Sequence, residues 1–338
     1  MNAVAAQLAE RYDELDLAAF GVAERPACVM LTPRFETSRH IVALVLATET
    51  GRPALVAKLP RLAGDGAALS REAAGLSAVR RALGETSSVP RLIAHLTDQP
   101  HPLLVESAID GRPLSPAEIA RDRDGCLEPA VAWLERVART SAREPGPEDD
   151  EARFRTLIEG PLLALAAGDG GEAPPAGLVE RTLEALAPLR DAGLPLVLEH
   201  GDTSHPNLLL RRFGDLAVVD WELADADGLP GHDLGFFLVY AAGAARRRDE
   251  AETARRLHDA FFGSEPWAWR WWARYLQTLD LDPELGGRLW LASCARAVAV
   301  GAERGHGLRG AANVRQLPLW RHAIDHLDQL DHHGRSTT

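Results

Sequence analysis

The chain has 338 residues, of which 46% are hydrophobic and 25% charged, and its formal net charge is −12 at pH 7. This composition is ordinary for a globular protein and excludes a largely disordered or fibrous chain. The negative charge argues against a general nucleic-acid-binding protein, which needs a basic surface to displace the counterions of phosphates.

Membrane insertion and secretion are not expected. The longest good apolar stretch, Leu234–Ala245, is shorter than the roughly 20 residues that a membrane-spanning helix needs. The N-terminus lacks the basic region and cleavage pattern of a signal peptide. Cys28, Cys126 and Cys294 are odd in number and far apart, which argues against a disulfide scaffold. These features predict a cytoplasmic protein.

The first third of the chain predicts a small, mainly antiparallel sheet with one long helix, preceded by a short amphipathic helix within the first 20 residues. The long helix is expected over about Ala67–Leu83, with Gly84 at its C-terminal end. Apolar runs between polar turns indicate strands. The predicted strands are Ala27–Leu31, Ile41–Ala47, Ala54–Leu59, Val89–His95 and Leu103–Ser107.

A connector follows this sheet and leads into a mainly helical region. The Gly and Pro residues of Ser107–Pro113 are typical of such a connector. One β-hairpin is expected within the helical region, with strands at Asn207–Leu210 and Leu216–Val219 and a turn at Arg212–Asp215. The predicted helices are Pro116–Arg123, Glu128–Thr140, Glu151–Leu165, Leu178–Ala192 and several between Leu234 and about Leu330.

Lysine usage singles out one residue. Of the 37 basic residues, 36 are arginine and only Lys58 is lysine. A lysine that persists alone indicates a place where a compact ammonium fits and a planar guanidinium does not.

A polar loop before the predicted hairpin carries the most informative side chains. Asp202 and Asn207 lie five residues apart in this loop, and Asp220 follows the second strand. Because the start of one antiparallel strand lies beside the end of its partner, about 5 Å away, Asn207 and Asp220 are expected side by side. Two such oxygen donors suit a Mg²⁺ ion that bridges substrate phosphates. Asp202 is then placed to accept a proton from an attacking hydroxyl.

The same residues resemble a known family. His200-Gly201-Asp202, Asn207 five residues after Asp202, and Asp220 thirteen residues later resemble the HGDxxxxN…D signature of aminoglycoside phosphotransferases and choline-kinase-like small-molecule kinases, relatives of the protein kinases. The resemblance implies that Asp202 is the catalytic base and that Asn207 and Asp220 are Mg²⁺ ligands. It also implies that Glu222 assists with metal or substrate.

The N-terminal third fits the same family. Lys58 resembles the strand lysine that grips the nucleotide phosphates, and Glu72, fourteen residues later, resembles its ion-pair partner in the following helix. Leu103–Leu114 resembles the interlobe hinge, whose backbone around Glu106 and Ala108 is expected to hold adenine or guanine. In the second lobe Asp233 is expected to brace the catalytic loop.

Two features depart from the family pattern. The loop between the first two strands, Phe35–His40, contains no glycine, so Thr37, Ser38 or backbone amides are expected to cover the phosphates. His205 stands at a position that the motif does not fix and is a possible substrate or metal residue.

A tryptophan cluster, Trp267–Trp272, has two interpretations. It is either part of the packed core or an aromatic wall over the acceptor pocket. Its residues are apolar on more than one helical face, which favours the core.

The resemblance implies a bilobal α+β, protein-kinase-like fold with an N-lobe at residues 1–106, a hinge at 107–114 and a helical C-lobe at 115–338. The expected reaction moves the γ-phosphoryl group of ATP or GTP, with Mg²⁺, to a hydroxyl of a small molecule. The acceptor is left open among an antibiotic, an aminoglycoside-like sugar, a nucleoside and an amino alcohol. A non-catalytic nucleotide-binding regulator on the same scaffold is the alternative. The protein is expected to be a monomer or homodimer that binds neither nucleic acid nor membrane.

Overall fold

The structure is a computed structural model. It describes residues 3–31, 40–62, 66–97, 101–146, 149–168, 173–212, 214–244, 250–306, 308 and 313–336.

Strands dominate the first part of the chain and helices the remainder. Up to residue 113 the elements are α1 Ala3–Glu10, β1 Cys28–Leu31, β2 His40–Leu46, β3 Pro53–Pro60, α2 Ala67–Leu83, β4 Leu92–Leu96, β5 Leu103–Ser107 and β6 Arg112–Pro113. The later elements are α3 Pro116–Arg121, α4 Arg123–Ser141, α5 Asp149–Phe154, α6 Gly160–Ala166, α7 Leu178–Leu186, β7 Val197–Glu199, β8 Leu208–Leu210, β9 Leu216–Val218, β10 Asp225–Gly228, α8 His232–Ala242, α9 Glu250–Phe261, α10 Ala268–Thr278, α11 Gly286–Gly301, α12 Asn313–Asp325 and α13 Leu327–Ser336. A π-helical turn, Ala302–His306, follows α11 directly.

The chain divides into two units. The first unit contains the residues up to Arg112 together with Arg211–Ala224, and the second contains Pro113–Leu210 and the residues from Asp225 onward. The sequence analysis placed Arg211–Ala224 in the second lobe. It lies in the first unit because Val218 N donates to Ser88 O (2.8 Å) and Arg211 Nη1 donates to Ser87 Oγ (2.7 Å).

An antiparallel sheet with the strand order β1-β2-β3-β5-β4 forms the centre of the first unit. The five predicted strands are present within a few residues of their predicted bounds, and α2 has the predicted bounds. Gly84, with φ of +71°, follows α2 and donates its N–H to Arg80 O, as a helix-ending glycine does. In the sheet register, Lys58 of β3 stands between Val42 of β2 and Leu104 of β5.

Apolar packing on this sheet holds the first unit together. Val4 and Leu8 of α1 are buried in one cluster with Val45, Leu55 and other sheet residues. Burial of one such leucine stabilises the fold by about 1.5–3 kcal/mol. The buried face of α2 is apolar apart from one charged residue; its members are Ala68, Leu69, Glu72, Ala73, Gly75, Leu76 and Val79.

The second unit is mainly helical and is built around α11. This helix packs against α6, α8, α12 and α13. It is buried on most of its circumference, so Arg296 lies in the interior of the unit, 5% exposed. Strands β7 and β10 pair antiparallel within the same unit, with Glu199 opposite Asp225. The loop that follows β7 carries Asp202 and Asn207.

The tryptophans of α10 belong to the core, as the more favoured interpretation predicts. Trp269, Trp271 and Trp272 are 1%, 5% and 1% exposed. The indole N–H of Trp272 donates to Gly286 O at 3.1 Å, which fixes the ring against the start of α11. Within the described ranges, no helix combines the length and apolar character that a membrane crossing requires.

Candidate active site

Lys58 is the centre of a buried ionic cluster in the first unit. Its Nζ donates to Glu72 Oε1 and also to Asp220 Oδ1, the latter at 3.0 Å. Glu106 Oε1 lies 3.7 Å from the same nitrogen. Lys58 is 5%, Glu72 0% and Glu106 2% exposed. The structure therefore brings together four of the residues that the sequence singles out, and each is contributed by a different element or segment.

Acidic side chains outnumber basic ones in this cluster. Burial alone would lower the pKa of Lys58, but the carboxylates of Asp220, Glu106 and Glu72 raise it well above its usual value. Burial raises the pKa of Glu72 to about 8 and also raises that of Glu106, although Lys58 opposes both changes. One ammonium thus faces three carboxyl groups, and the side chain of Asp220 is the one most open to solvent, at 41%. An additional cation at Asp220 would relieve this excess.

The backbone around Asp220 is anchored to α2. Asp220 itself has φ of +70°, a conformation that is rare for residues other than glycine but tolerated by aspartate. Trp221 N donates to Glu72 Oε1 at 3.2 Å, and Arg71 Nε donates to Glu222 O at 3.1 Å. Glu72 therefore binds both the lysine and the peptide that follows Asp220. A backbone conformation of this kind, held from both sides, is frequent at functional sites.

Glu222 has a partner that the sequence analysis did not identify. His40 Nδ1, at the start of β2, lies 3.2 Å from Glu222 Oε2, and both side chains are largely buried. The two residues are 182 positions apart in the chain, so no local pattern indicates the pair. The contact holds the side chain of Glu222 against the sheet.

The second unit contributes the loop with Asp202 and Asn207. Asn207 is 3% exposed, and its side-chain nitrogen donates to Asp202 O at 3.0 Å. Ser204 Oγ donates to Asp202 Oδ1 at 2.7 Å. These bonds hold the loop in one conformation and leave the amide oxygen of Asn207 as its acceptor atom for a ligand.

Asp233 braces this loop, as the resemblance implies. Its carboxylate accepts from His200 N at 2.7 Å and from Gly201 N at 2.9 Å, and its carbonyl accepts from Thr203 Oγ1 at 2.6 Å. Burial, together with the charge of Glu199, raises the pKa of Asp233 to about 7, while the two backbone N–H groups oppose the change. Asp233 therefore positions the residues on both sides of the catalytic candidate.

A buried ion pair lies directly behind the loop. Arg296 donates two hydrogen bonds of 2.9 Å to the carboxylate of Glu199, which also accepts from Leu229 N at 3.1 Å. Burial alone would raise the pKa of Glu199, but Arg296 and His232 lower it to about 2. Burial, with the charge of Arg296, lowers the pKa of His232 to about 4, so this histidine is neutral at pH 7.

One further cation lies at the catalytic candidate. Arg304 Nη1, in the turn after α11, is 3.8 Å from Asp202 Oδ2, and the two side chains are 26% and 29% exposed. The sequence analysis did not single out this arginine, because it lies 102 positions after Asp202 in the chain.

The remaining predicted residues are placed as follows. Thr37 and Ser38 lie outside the described residues. Ala108 donates its N–H to Ala54 O at 2.9 Å, so this N–H is already engaged within the first unit. His205 lies half-buried in the turn before Asn207. Their roles in binding stay predictions.

Solved structures with the same architecture establish the fold. A choline kinase from Cryptosporidium parvum Iowa II superposes with a TM-score of 0.57 at 12% identity, covering 94% of this chain and 96% of that one. The aminoglycoside phosphotransferase APH(2")-IIa, in ternary complex with streptomycin and ATP, gives 0.54 at 12% identity, with 90% and 95% covered. A thermostable mutant of APH(4)-Ia, in complex with AMP-PNP and hygromycin B, gives 0.52 at 12% identity, with 93% and 98% covered. The α+β, protein-kinase-like fold is thereby confirmed.

Sequence comparison assigns the family. The model of the phosphotransferase enzyme family (APH) matches residues 42–275, a span that includes Lys58, Glu72, Asp202, Asn207 and Asp220. No curated protein sequence matches this chain.

Proposed function

Because the chain belongs to the phosphotransferase enzyme family, we propose that it transfers the γ-phosphoryl group of ATP or GTP to a hydroxyl of a small molecule. The observation that supports this most directly is the cluster in which Lys58 contacts Glu72 and Asp220. A lysine fixed in this way presents a compact positive charge to nucleotide phosphates.

Each of the main side chains has a separate role in this proposal. Lys58 orients the phosphates, and Glu72 holds Lys58 in place. Asp202 accepts a hydrogen bond from the acceptor hydroxyl, aligns it with the phosphorus atom and takes up its proton as the new bond forms. Most of the rate enhancement in such reactions comes from positioning and electrostatics, which agrees with the number of bonds that hold these residues rigid.

Magnesium ligands are proposed at Asp220 and Asn207. Among the described residues, no group of three or more His, Cys, Asp or Glu side chains is arranged to hold a metal ion. Mg²⁺ is usually held by one or two carboxylates together with substrate phosphates and water. The acidic side chains around Lys58 and the exposed carboxylate of Asp220 suit a divalent cation. When bound, Mg²⁺ would offset the negative charge of the phosphates. The proposal requires Asn207 and Asp220 to bind the same ion.

The nucleotide base is proposed to bind along Glu106–Leu114. Two of the similar structures were determined with ATP or AMP-PNP. The buried side chain of Glu106 belongs to the lysine cluster, which leaves the backbone of the following residues for the base. Backbone recognition of this kind is compatible with adenine or guanine.

Two measurements test the proposal. Thermal unfolding with MgATP and with MgGTP is expected to show stabilisation by at least one nucleotide, since a ligand that binds only the folded protein raises its stability. A phosphorylation assay over a panel of hydroxylated small molecules is expected to show transfer. Stabilisation without transfer to any acceptor would favour the non-catalytic regulator instead.

One variant separates catalysis from binding. Asp202→Ala is expected to abolish transfer while it keeps nucleotide stabilisation. Asp259→Ala, which removes an exposed carboxylate of α9, is the matched control and is expected to keep wild-type activity. Full activity of Asp202→Ala would refute the assignment of the catalytic base.

A further inference from the structure

The contact between Arg304 and Asp202 bears on the acceptor. One carboxylate oxygen of Asp202, Oδ1, accepts from Ser204 Oγ at 2.7 Å, and the other, Oδ2, lies 3.8 Å from Arg304 Nη1. The hydroxyl of Ser204 therefore binds Oδ1 and not Oδ2, and Oδ2 faces the guanidinium of Arg304.

We propose that Arg304 determines specificity by selecting acceptors that carry no positive charge next to the phosphorylated hydroxyl. The inference rests on the proposed function, and it narrows the acceptor to neutral or anionic hydroxylated molecules. Polycationic sugars and quaternary amino alcohols are disfavoured.

The geometry places the charge of Arg304 at the reacting centre. A hydroxyl that donates to Oδ2 at a normal hydrogen-bond length of about 2.7 Å comes within roughly 6.5 Å of Nη1. A guanidinium keeps its charge throughout the physiological pH range, so pH does not relieve the repulsion of a nearby cation. Like charges placed against each other in a binding site weaken binding, whereas a neutral group does not meet this repulsion.

The net charge of the whole chain does not reverse this preference. A charge of −12 attracts cations at long range, but such attraction is screened beyond about 8 Å at physiological ionic strength. Close to the reacting hydroxyl, Arg304 opposes part of the negative charge of Asp202. The partial exposure of both side chains, 26% and 29%, leaves them accessible to an acceptor.

The test compares acceptors that differ in charge but little in shape. Choline and 3,3-dimethylbutan-1-ol form one such pair, and a wider panel includes hygromycin B, neutral sugars and nucleosides, and hydroxy acids. Wild-type protein is expected to have its highest kcat/KM with neutral or anionic members. Arg304→Gln is expected to raise the kcat/KM of cationic relative to neutral acceptors by about tenfold or more.

Two further variants control for charge and for structure. Arg304→Lys keeps the charge and is expected to keep the wild-type preference. Arg181→Gln removes an exposed arginine that pairs with Asp325 and is expected to change nothing.

Two outcomes overturn the inference. It is wrong if wild-type protein prefers cationic acceptors, or if Arg304→Gln leaves the preference unchanged while transfer continues. Transfer to no member of the panel contradicts the proposed function and this inference together, so the two failures are distinguishable.

Discussion

Removing Arg296 tests whether the buried pair behind the catalytic loop supports the fold. The change Arg296→Met leaves Glu199, 3% exposed, with a buried carboxylate that has lost two hydrogen bonds of 2.9 Å. The net lowering of the pKa of Glu199 from 4.5 to about 2, to which Arg296, His232 and Leu229 N contribute against the effect of burial, shows that the ionised carboxylate is stabilised by its surroundings. Removal of one partner from a buried pair typically costs about 3–5 kcal/mol. We therefore expect a loss of about 3–5 kcal/mol in unfolding free energy at pH 7.

The pKa shift of Glu199 also predicts how the stability difference between wild-type and Arg296→Met protein changes with pH. A depressed carboxylate pKa contributes stability that is present above the unfolded value, near 4.5, and is lost as the pH falls toward 2. The difference between wild-type and Arg296→Met protein is therefore expected to be largest near pH 7 and to shrink below about pH 4.5.

Urea denaturation at several pH values, followed by circular dichroism and tryptophan fluorescence, measures this difference. Arg181→Met is the control, because its ion pair with Asp325 is exposed and is expected to contribute about 1 kcal/mol or less. The double variant Glu199→Leu with Arg296→Met is expected to be more stable than Arg296→Met alone, since it buries no unpaired charge. A difference below about 1 kcal/mol at pH 7, or one that does not change with pH, would refute the reasoning.

Three further changes test other contacts. Lys58→Arg keeps the charge but places a larger planar group among three carboxylates, and steady-state kinetics are expected to show a loss of about tenfold or more in kcat; wild-type turnover would contradict the argument from the single lysine. Gly75→Ala puts a Cβ 2.5 Å from Ala224 Cβ, so denaturation is expected to show a loss of about 1–3 kcal/mol, whereas Ser77→Ala on the exposed side of α2 serves as a near-neutral control. Asp233→Asn replaces one of the two carboxylate oxygens that accept backbone N–H groups by a donor, and it is expected to lower the unfolding free energy by about 1.5–3 kcal/mol. It is also expected to reduce kcat while the nucleotide KM stays nearly constant. An unchanged kcat would exclude a positioning role.

Local patterns account for the elements that the sequence predicts well. The strands and α2 follow from apolar periodicity and from Gly84, signals that lie within a few neighbouring residues. β10 was missed because Asp225–Gly228 is polar and glycine-terminated, and a pairing partner in β7 is what makes it a strand. Its register depends on tertiary contacts, which no local pattern contains.

The residues of the candidate site also differ in whether a local sequence pattern indicates them. Asp202, Asn207 and Asp220 are indicated by their spacing, and Lys58 by its uniqueness. The partners that hold such residues are distant in sequence: His40 for Glu222 and Arg304 for Asp202. Nothing in either sequence neighbourhood distinguishes these residues from the other histidines or arginines of the chain, so only the fold identifies them.

The charge around Lys58 affects the form in which the nucleoside triphosphate binds. Three acidic side chains surround one ammonium there, so those that are ionised repel a triphosphate that has been stripped of its metal. The magnesium chelate carries less negative charge and meets a weaker barrier. If the proposed function holds, the chelate is the species that is captured from solution, and ATP in excess of magnesium is a poor competitor.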